Sequence, residues 1–392
     1  MPTITKRNNT YRIRVSCGYD TSGKQIVKSL TWSPSPGMTA RQTEKELAKV
    51  AAAFEAKVQS GDYVDASNTR LADFCDRYLE MSKNLLSPTT LHLYEYIVRE
   101  IIKPTLGHMR LVDIKPVHVQ RFIDTLSNSG KLSPSTVRRY FTAFKAIMAK
   151  AYKLELIDRN PSETARLDLP QADTPEVEIF TKEEAAHMLS CLDSEPLKFK
   201  VLVHLAIVTG ARRGELVALK WDCVDLKRGT VCIRQSNYKL KGEEIKSKKP
   251  KTKSSVRDVA IPAYLVEMLR DFRIEQLKEK MRLGDAWHDT GYLFCQWNGE
   301  PMNPNTPTDY FADFLRRNDI PHRKFHALRH TSATLLLTSG TNIKTVAARL
   351  GHTQLSTTNR YVHALRDADE AAAETFAELV VMPESKETKK AE

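Results

Sequence analysis

Three dipeptides, Ser87-Pro88, Lys115-Pro116 and Ser133-Pro134, constrain the middle of this chain more than any other feature. Proline lacks an amide hydrogen and holds φ near the helical value, so it suits the first position of a helix, and a serine ahead of it can cap the free N–H groups. The residues that follow keep helical spacing. Val119, Phe122, Ile123 and Leu126 follow the second pair, and Val137, Tyr140, Phe141, Phe144, Ile147 and Ala151 follow the third. The first pair predicts a helix through Ile102, and Leu71 to Met81 is a further candidate. Residues 69–165 are therefore expected to form an all-helical domain with the aromatic stripe as its core. The basic residues Arg138, Arg139, Lys145 and Lys150 lie elsewhere on the last of these helices, as a solvated face or as phosphate contacts.

The flanks read differently. Tyr11 to Val15 alternates polar and apolar residues as a half-buried strand does, Asp20 to Lys24 is a turn, and Gln25 to Trp32 is the partner strand. Thr39 then caps a helix to about Gln59 that carries Leu47, Val50, Ala51, Phe54 and Val58. Residues 1–66 are expected as a small α+β domain ringed by Lys6, Arg7, Arg12, Arg14, Lys24 and Lys28, a basic face for DNA or a solvated one. Prolines and small polar residues mark 166–176 as a linker. A third domain, 177–392, opens with the helix start Thr181-Lys182-Glu183-Glu184.

Lys and Arg number 60 against 48 Asp and Glu, a net charge of +12, so the expected partner is a polyanion; an anionic membrane surface would attract the same charge. No apolar run approaches the roughly 18 residues of a membrane span, and no secretory signal pattern is visible. Cys17, Cys75, Cys191, Cys223, Cys232 and Cys295 are scattered without a C-x-x-C pair, which argues against a zinc ribbon or a disulfide framework and for a reducing cytoplasm. Neither a Walker motif nor H-E-x-x-H occurs.

Four patches in the third domain carry chemistry. They are Thr209-Gly210-Ala211-Arg212-Arg213-Gly214-Glu215-Leu216; Pro250-Lys251-Thr252-Lys253 leading to Arg257-Asp258-Val259-Ala260-Ile261-Pro262; His326-Ala327-Leu328-Arg329-His330-Thr331; and Leu350-Gly351-His352, with Tyr361 nine residues on. Guanidinium groups stay charged and present a planar fork that matches phosphate oxygens. Seven lysines and two glutamates fill Lys239–Lys253, between apparent strands Thr230–Ile233 and Val256–Ile261, as a solvated loop or a hairpin entering a groove.

Taken in order, these motifs resemble the tyrosine recombinases, the integrases of temperate phages and conjugative transposons. The resemblance implies that Arg212 and Arg329 hold the non-bridging oxygens of the scissile phosphate, that His326 and His352 add hydrogen bonds, and that Tyr361 is the nucleophile. His326 also assists proton transfer, and Glu215 braces Arg212. Lys253 protonates the departing 5′ oxygen; Lys251, two positions away, would share its strand face, so the two remain alternatives. Arg213 competes with Arg212, and the TGxR spacing selects Arg212. His326 and His330, four apart, mimic a metal-ligand pair, but the H-x-x-R spacing fits phosphate better and leaves His330 a structural place.

A covalent phosphotyrosine conserves the energy of the broken bond, so strands rejoin without ATP, cofactor or metal. The implied fold is mainly α with small β elements: an arm-binding-like α+β domain, a helical core-binding domain and a mixed α/β catalytic domain, clamped in a C around the duplex. The implied partners are double-stranded attachment sites and three further protomers in a tetramer that passes through a Holliday junction, with room for an accessory DNA-bending or excision protein, on DNA in the bacterial cytoplasm. A tail helix from Asp367 to Val381 would pack on a neighbouring protomer or on its own chain. Arg12, Arg14, Arg138, Arg139, Lys248, Lys249 and Lys251 are the further candidates for DNA contact. Two rival readings are a type IB topoisomerase-like enzyme and a DNA-binding regulator with a dead active site; relaxation without a specific site, or failure to trap a covalent adduct, would favour them.

Overall fold

The structure, a computed structural model, describes residues 2–19, 25–59, 68–171, 178–248, 256–352 and 358. The chain divides into two compact units, Met1–Thr174 and Pro175–Glu392. No described helix is long and apolar enough to cross a membrane.

The first unit opens with an antiparallel sheet of β1 (Thr3–Arg7), β2 (Thr10–Tyr19) and β3 (Gln25–Trp32), followed by α1 (Ala40–Gln59). Alternation places Ile13 and Val15 on one face, where they are buried with Leu47, Ala51 and Phe54 of α1. Thr39 and Gln42 close the start of α1 reciprocally, each side chain taking the other's backbone N–H. Strand β1 is absent from the sequence expectation because all five of its residues are exposed and leave no burial pattern to read.

A second hydrophobic cluster belongs to the helices α2 (Leu71–Ser82), α3 (Pro88–Ile97), α4 (Lys103–Leu106), α5 (Pro116–Asn128) and α6 (Pro134–Lys153). Each of the three prolines stands at the start of its helix, and Ser87 and Ser133 accept from the N–H of Thr90 and Thr136. The helix from Pro88 does not stop at Ile102. It widens to π geometry over Val98–Ile102 and continues to Leu106. Pro104 has no N–H to give the Glu100 carbonyl one turn back, which favours the wider turn just ahead of it. Helix α6 packs on α2, α3 and α5 and buries Phe144 completely, so truncation of Phe144 to alanine costs about 3–5 kcal/mol. Leu167 is buried in the same cluster, Gln120 bonds the backbone N–H and carbonyl of Asp168, and Arg138 donates to the Pro170 carbonyl. The chain through Pro170 thus lies on these helices.

The second unit is built on α8 (Leu197–Thr209), which follows α7 (Lys182–Cys191). Phe199, Leu202, Val203, Leu205 and Ala206 are buried around α8, and a helix apolar on all sides belongs inside a core. After the short α9 (Arg213–Leu216) come β4 (Val224–Asp225) and β5 (Thr230–Ile233), then the hairpin β6 (Ser236–Lys239) and β7 (Ile245–Lys248). Strand β8 (Arg257–Ala260) returns antiparallel to β5, giving the order β4-β5-β8. Of the two alternatives open for the segment after Ile233, loop or hairpin, β6 and β7 pair as a hairpin. Helices α10 (Ala263–Leu283), α11 (Thr306–Arg317), α12 (Ala327–Thr338) and α13 (Ile343–Leu350) complete the unit. Helices α10 and α12 pack on α8, and α13 meets both α12 and β8. The fold is mainly helical with small sheets.

Candidate active site

Two helices end in the same way at the site. Gly210 closes α8 at φ 60° and Gly351 closes α13 at φ 68°, both left-handed. Glycine adopts this conformation without a Cβ penalty, and here close contacts also require it. A Cβ on Gly210 would lie 2.3 Å from Leu350 Cδ2, and one on Gly351 would lie 2.8 Å from Arg257 Nη1. Arg329, on the first turn of α12 and 2% exposed, donates Nη1–H to the Gly210 carbonyl at 2.5 Å and Nη2–H to the Leu350 carbonyl at 2.8 Å. Its buried charge is therefore held between two helix C-termini, whose partial negative charge suits it.

Arg212 stands two residues beyond Gly210, as the N-cap of α9, with a side chain 46% exposed. Glu215 receives its backbone N–H on Oε2 and its Nη1–H on Oε1, both at 2.9 Å. The second partner of Glu215 is Arg257, whose Nη2 donates to Oε2 at 2.9 Å from a side chain only 6% exposed. Burial opposes ionisation of Glu215, but Arg257 and then Arg212 outweigh it and hold the carboxyl below its usual range. One carboxylate thus serves two guanidiniums, and the trio carries a net positive charge with Arg212 as its open end.

His326 caps α12, and its ring meets that of His330 edge-on with centroids 4.7 Å apart. Although His326 as a whole residue is exposed, crowding of its ring and the charges of Arg329 and Arg212 hold its pKa below the ordinary value. His352 follows Gly351; its N–H returns to the Ala347 carbonyl and its Nδ1 lies 2.9 Å from Thr358 Oγ1. Burial, with Arg329, Arg212, Arg257 and His330 adding, pushes its pKa down to about 4. Both imidazoles are neutral at pH 7, so each offers one N–H donor and one acceptor.

The structure therefore brings Arg212, Glu215, His326, Arg329 and His352 together from three stretches of chain. It separates the two arginines in kind, one open and one buried. Arg213 turns away to donate to Thr308 Oγ1 at 2.7 Å. Lys248 ends β7 with its ammonium over the Tyr238 ring. Lys249, Lys251, Lys253, Tyr361 and the tail from Asp367 to Val381 lie outside the described residues. In the first unit, Arg12 and Arg14 alternate with the buried Ile13 and Val15 and so share the opposite sheet face with Thr31 and Ser29, their partners on β3. Arg138 and Arg139 are exposed on α6, with Arg138 bound to Pro170. Arg257 is the member that sequence reasoning passes over. Its signal is a charge at an inward position of β8, in register with the buried Val259.

Among the described residues no group of three or more His, Cys, Asp and Glu side chains could hold a metal ion. An apolar cavity of about 570 Å³ between Phe199, Phe272, Trp287 and Tyr310 includes none of the residues above.

The residues of this cluster fall inside a stretch that matches a known family. Residues 178–367 match the phage integrase family, and residues 70–127 match the phage integrase N-terminal SAM-like domain. The chain is 31% identical to a "Tyrosine recombinase XerC-like" protein of Caldanaerobacter subterraneus subsp. tengcongensis, covering 95% of this chain and 96% of that one. It is 25% identical to the ICEBs1 integrase of Bacillus subtilis, over 90% and 92% of the two chains. Among solved structures, the Tn1549 transposon integrase in complex with a circular intermediate DNA shares the fold at TM-score 0.66 and 20% identity, over 79% of this chain and 100% of that one. A lambda integrase dimer bound to a COC′ core site shares it at TM-score 0.54 and 19% identity, over 75% and 95%.

Proposed function

This chain belongs to the phage integrase family of tyrosine recombinases, enzymes that cleave and rejoin DNA, and from that premise we propose that Tyr361 attacks the scissile phosphate in a site built on Arg212, Glu215, His326, Arg329 and His352. The observation that carries the reading is electrostatic. His326 and His352 come from different segments; burial lowers the proton affinity of each most, and Arg329 and Arg212 lower both further. Cations that crowd together in this way call for an anion between them, and a phosphodiester supplies it.

In this reading the phenol oxygen of Tyr361 bonds to phosphorus as the bond from phosphorus to the 5′ oxygen breaks. Free phenol has a pKa of about 10, so the proton must be taken as attack proceeds, and neutral His326 is the acceptor. Lys253 returns a proton to the leaving 5′ oxygen. The negative charge that builds on the non-bridging oxygens meets Arg212 directly, and the fixed positive charge of Arg329 lies behind it. A neutral His352 donates a hydrogen bond. The 3′-phosphotyrosine keeps the bond energy, and a 5′ hydroxyl from a second duplex reverses the step to join new partners.

Site-specific exchange then proceeds through a Holliday junction in a tetramer on two attachment sites. The basic sheet face with Arg12 and Arg14 contacts arm DNA, the helices with Arg138 and Arg139 contact the core site, and an accessory bending protein biases the direction. We divide the chain for these tasks at 1–66, 69–165 and 177–392; of the expected linker 166–176, the part through Pro170 packs on the helices before it. Backbone contacts of this kind make binding steeply salt-dependent. The test is cleavage of a nicked attachment-site duplex followed by mass mapping of the protein–DNA adduct. The adduct belongs on Tyr361, and Tyr361→Phe abolishes it while binding persists. An adduct on another residue overturns the assignment.

A further inference from the structure

We propose that Arg257 is a positioning residue of the active site: it occupies Glu215 so that this carboxylate orients Arg212 without neutralising it, and it fixes the end of α13 that carries His352. The inference rests on the reading above, in which Arg212 engages the scissile phosphate.

The geometry begins with β8. Its inward residues are Arg257 and Val259, and a charged side chain at such a position needs partners for its N–H groups. Arg257 has them on two different segments. Nη2 donates to Glu215 Oε2 at 2.9 Å, and Nε donates to the Arg349 carbonyl at 2.7 Å. Nη1 lies so close to Gly351 that a single added carbon there would meet it at 2.8 Å. The guanidinium plane therefore spans the distance between the Arg212–Glu215 turn and the residue preceding His352. Arg349 ties the same place from the other direction, donating Nη2–H to the carbonyls of Val208 and Ala260 at 2.9 Å. The ends of α8, β8 and α13 are joined by these two side chains.

Charge explains why the bond to Glu215 matters for chemistry. A carboxylate facing Arg212 alone would form a neutral pair, and a neutral pair is a poor host for a phosphate. With Arg257 on its second oxygen the trio keeps one positive charge, and that charge resides on the partner open to solvent. Arg257 touches neither DNA nor the reacting atoms in this scheme; it acts through Glu215, Arg212 and the backbone ahead of His352.

The experiment compares full-length wild type, Arg212→Ala, Arg257→Met, Arg257→Lys and the double variant Arg257→Met/Glu215→Gln. Each is given a nicked attachment-site duplex with either a normal scissile phosphodiester or a methylphosphonate, whose non-bridging methyl removes the negative charge. On the phosphodiester, Arg257→Met should lose about 10²-fold in single-turnover cleavage, the size expected for a misplaced catalytic group, while DNA binding changes far less. Arg257→Lys keeps a charge opposite Glu215 and should retain more activity. The double variant should recover over Arg257→Met, because a neutral amide in place of the Glu215 carboxylate no longer cancels Arg212. On the methylphosphonate, the deficits of Arg212→Ala and Arg257→Met should both shrink. A variant that is merely loosened would stay slow on both substrates, and that result overturns the inference. So does wild-type cleavage by Arg257→Met beside an inactive Arg212→Ala. Normal cleavage by Arg212→Ala overturns the underlying reading, and this one with it. Should Arg257→Met melt below the assay temperature, Arg257→Lys carries the same two-substrate comparison.

Discussion

Arg329 donates to the carbonyl of Gly210 across 119 residues of sequence, and its other terminal nitrogen donates to Leu350. Both acceptors sit where a left-handed glycine ends a helix, Gly210 at α8 and Gly351 at α13. Two residues beyond each acceptor stands a site residue, Arg212 in one case and His352 in the other. A single buried guanidinium therefore sets the spacing of two chain segments that converge on one phosphate in the proposed function, and charge placed in advance of a reaction needs no rearrangement during it.

That convergence makes Gly210 sensitive. Alanine there must adopt φ 60° and place its Cβ 2.3 Å from Leu350 Cδ2. Backbone strain and overpacking together should destabilise the catalytic unit by about 2–4 kcal/mol. Urea unfolding of Gly210→Ala checks this, and a midpoint equal to wild type would mean that Leu350 yields freely.

Arg212→Lys keeps the charge and removes the planar fork that both meets Glu215 and faces outward. Cleavage should fall by about 10²- to 10³-fold, as for loss of one preorganised donor, with little change in site binding. Near-normal single-turnover cleavage would make Arg212 a structural cap of α9.

The histidines give a pH dependence of definite sign. His352 and His204 each have a folded pKa of about 4, chiefly through burial, against an ordinary value of 6.5. The unfolded chain takes up protons that the folded chain refuses, so these groups stabilise fully above about pH 6.5, and that contribution is lost as pH falls through about 4. His326 is shifted in the same direction. Denaturant melts of the protein between about pH 7.5 and about pH 4.5 should show stability declining, with a shallower decline in a His204→Gln/His352→Gln variant. An unchanged slope in that variant would place the acid sensitivity elsewhere.

Local chemistry is what the sequence makes legible. Ser87-Pro88 and Ser133-Pro134 are readable as helix starts because a cap is settled within three residues, and Thr181 with Glu184 closes α7 in the same way. The TGxR and HxLRH motifs are readable because their members are neighbours in the chain. The link between Arg257 and Glu215 spans 42 residues and crosses from a strand to a helix cap, so no local spacing announces it. The burial of Arg329 is hidden for the same reason: an arginine in a helix reads as a surface charge until the carbonyls of Gly210 and Leu350 are seen around it. Strand β1 escapes, and the β6–β7 hairpin stays ambiguous with a loop, because short polar strands carry little buried alternation, and β7 has no buried residue at all.

Lys253 is the assignment that chemistry can test most directly, with Lys251 as its rival two residues away. Its proposed task is to protonate the 5′ oxygen as the bond to phosphorus breaks. An alkoxide leaves poorly, so losing the acid should slow cleavage by about 10²- to 10⁴-fold. Replacing the bridging oxygen with sulfur makes the leaving group a thiolate, with a conjugate-acid pKa of about 8.5, which departs without a proton. Lys253→Ala should therefore be slow on normal DNA and largely restored on the 5′-thio substrate. Arg212→Ala should gain much less, since its proposed work is on the non-bridging oxygens. If Lys251→Ala is the variant restored, the acid is Lys251. If neither recovers, this lysine-rich segment holds DNA and the proton comes from elsewhere.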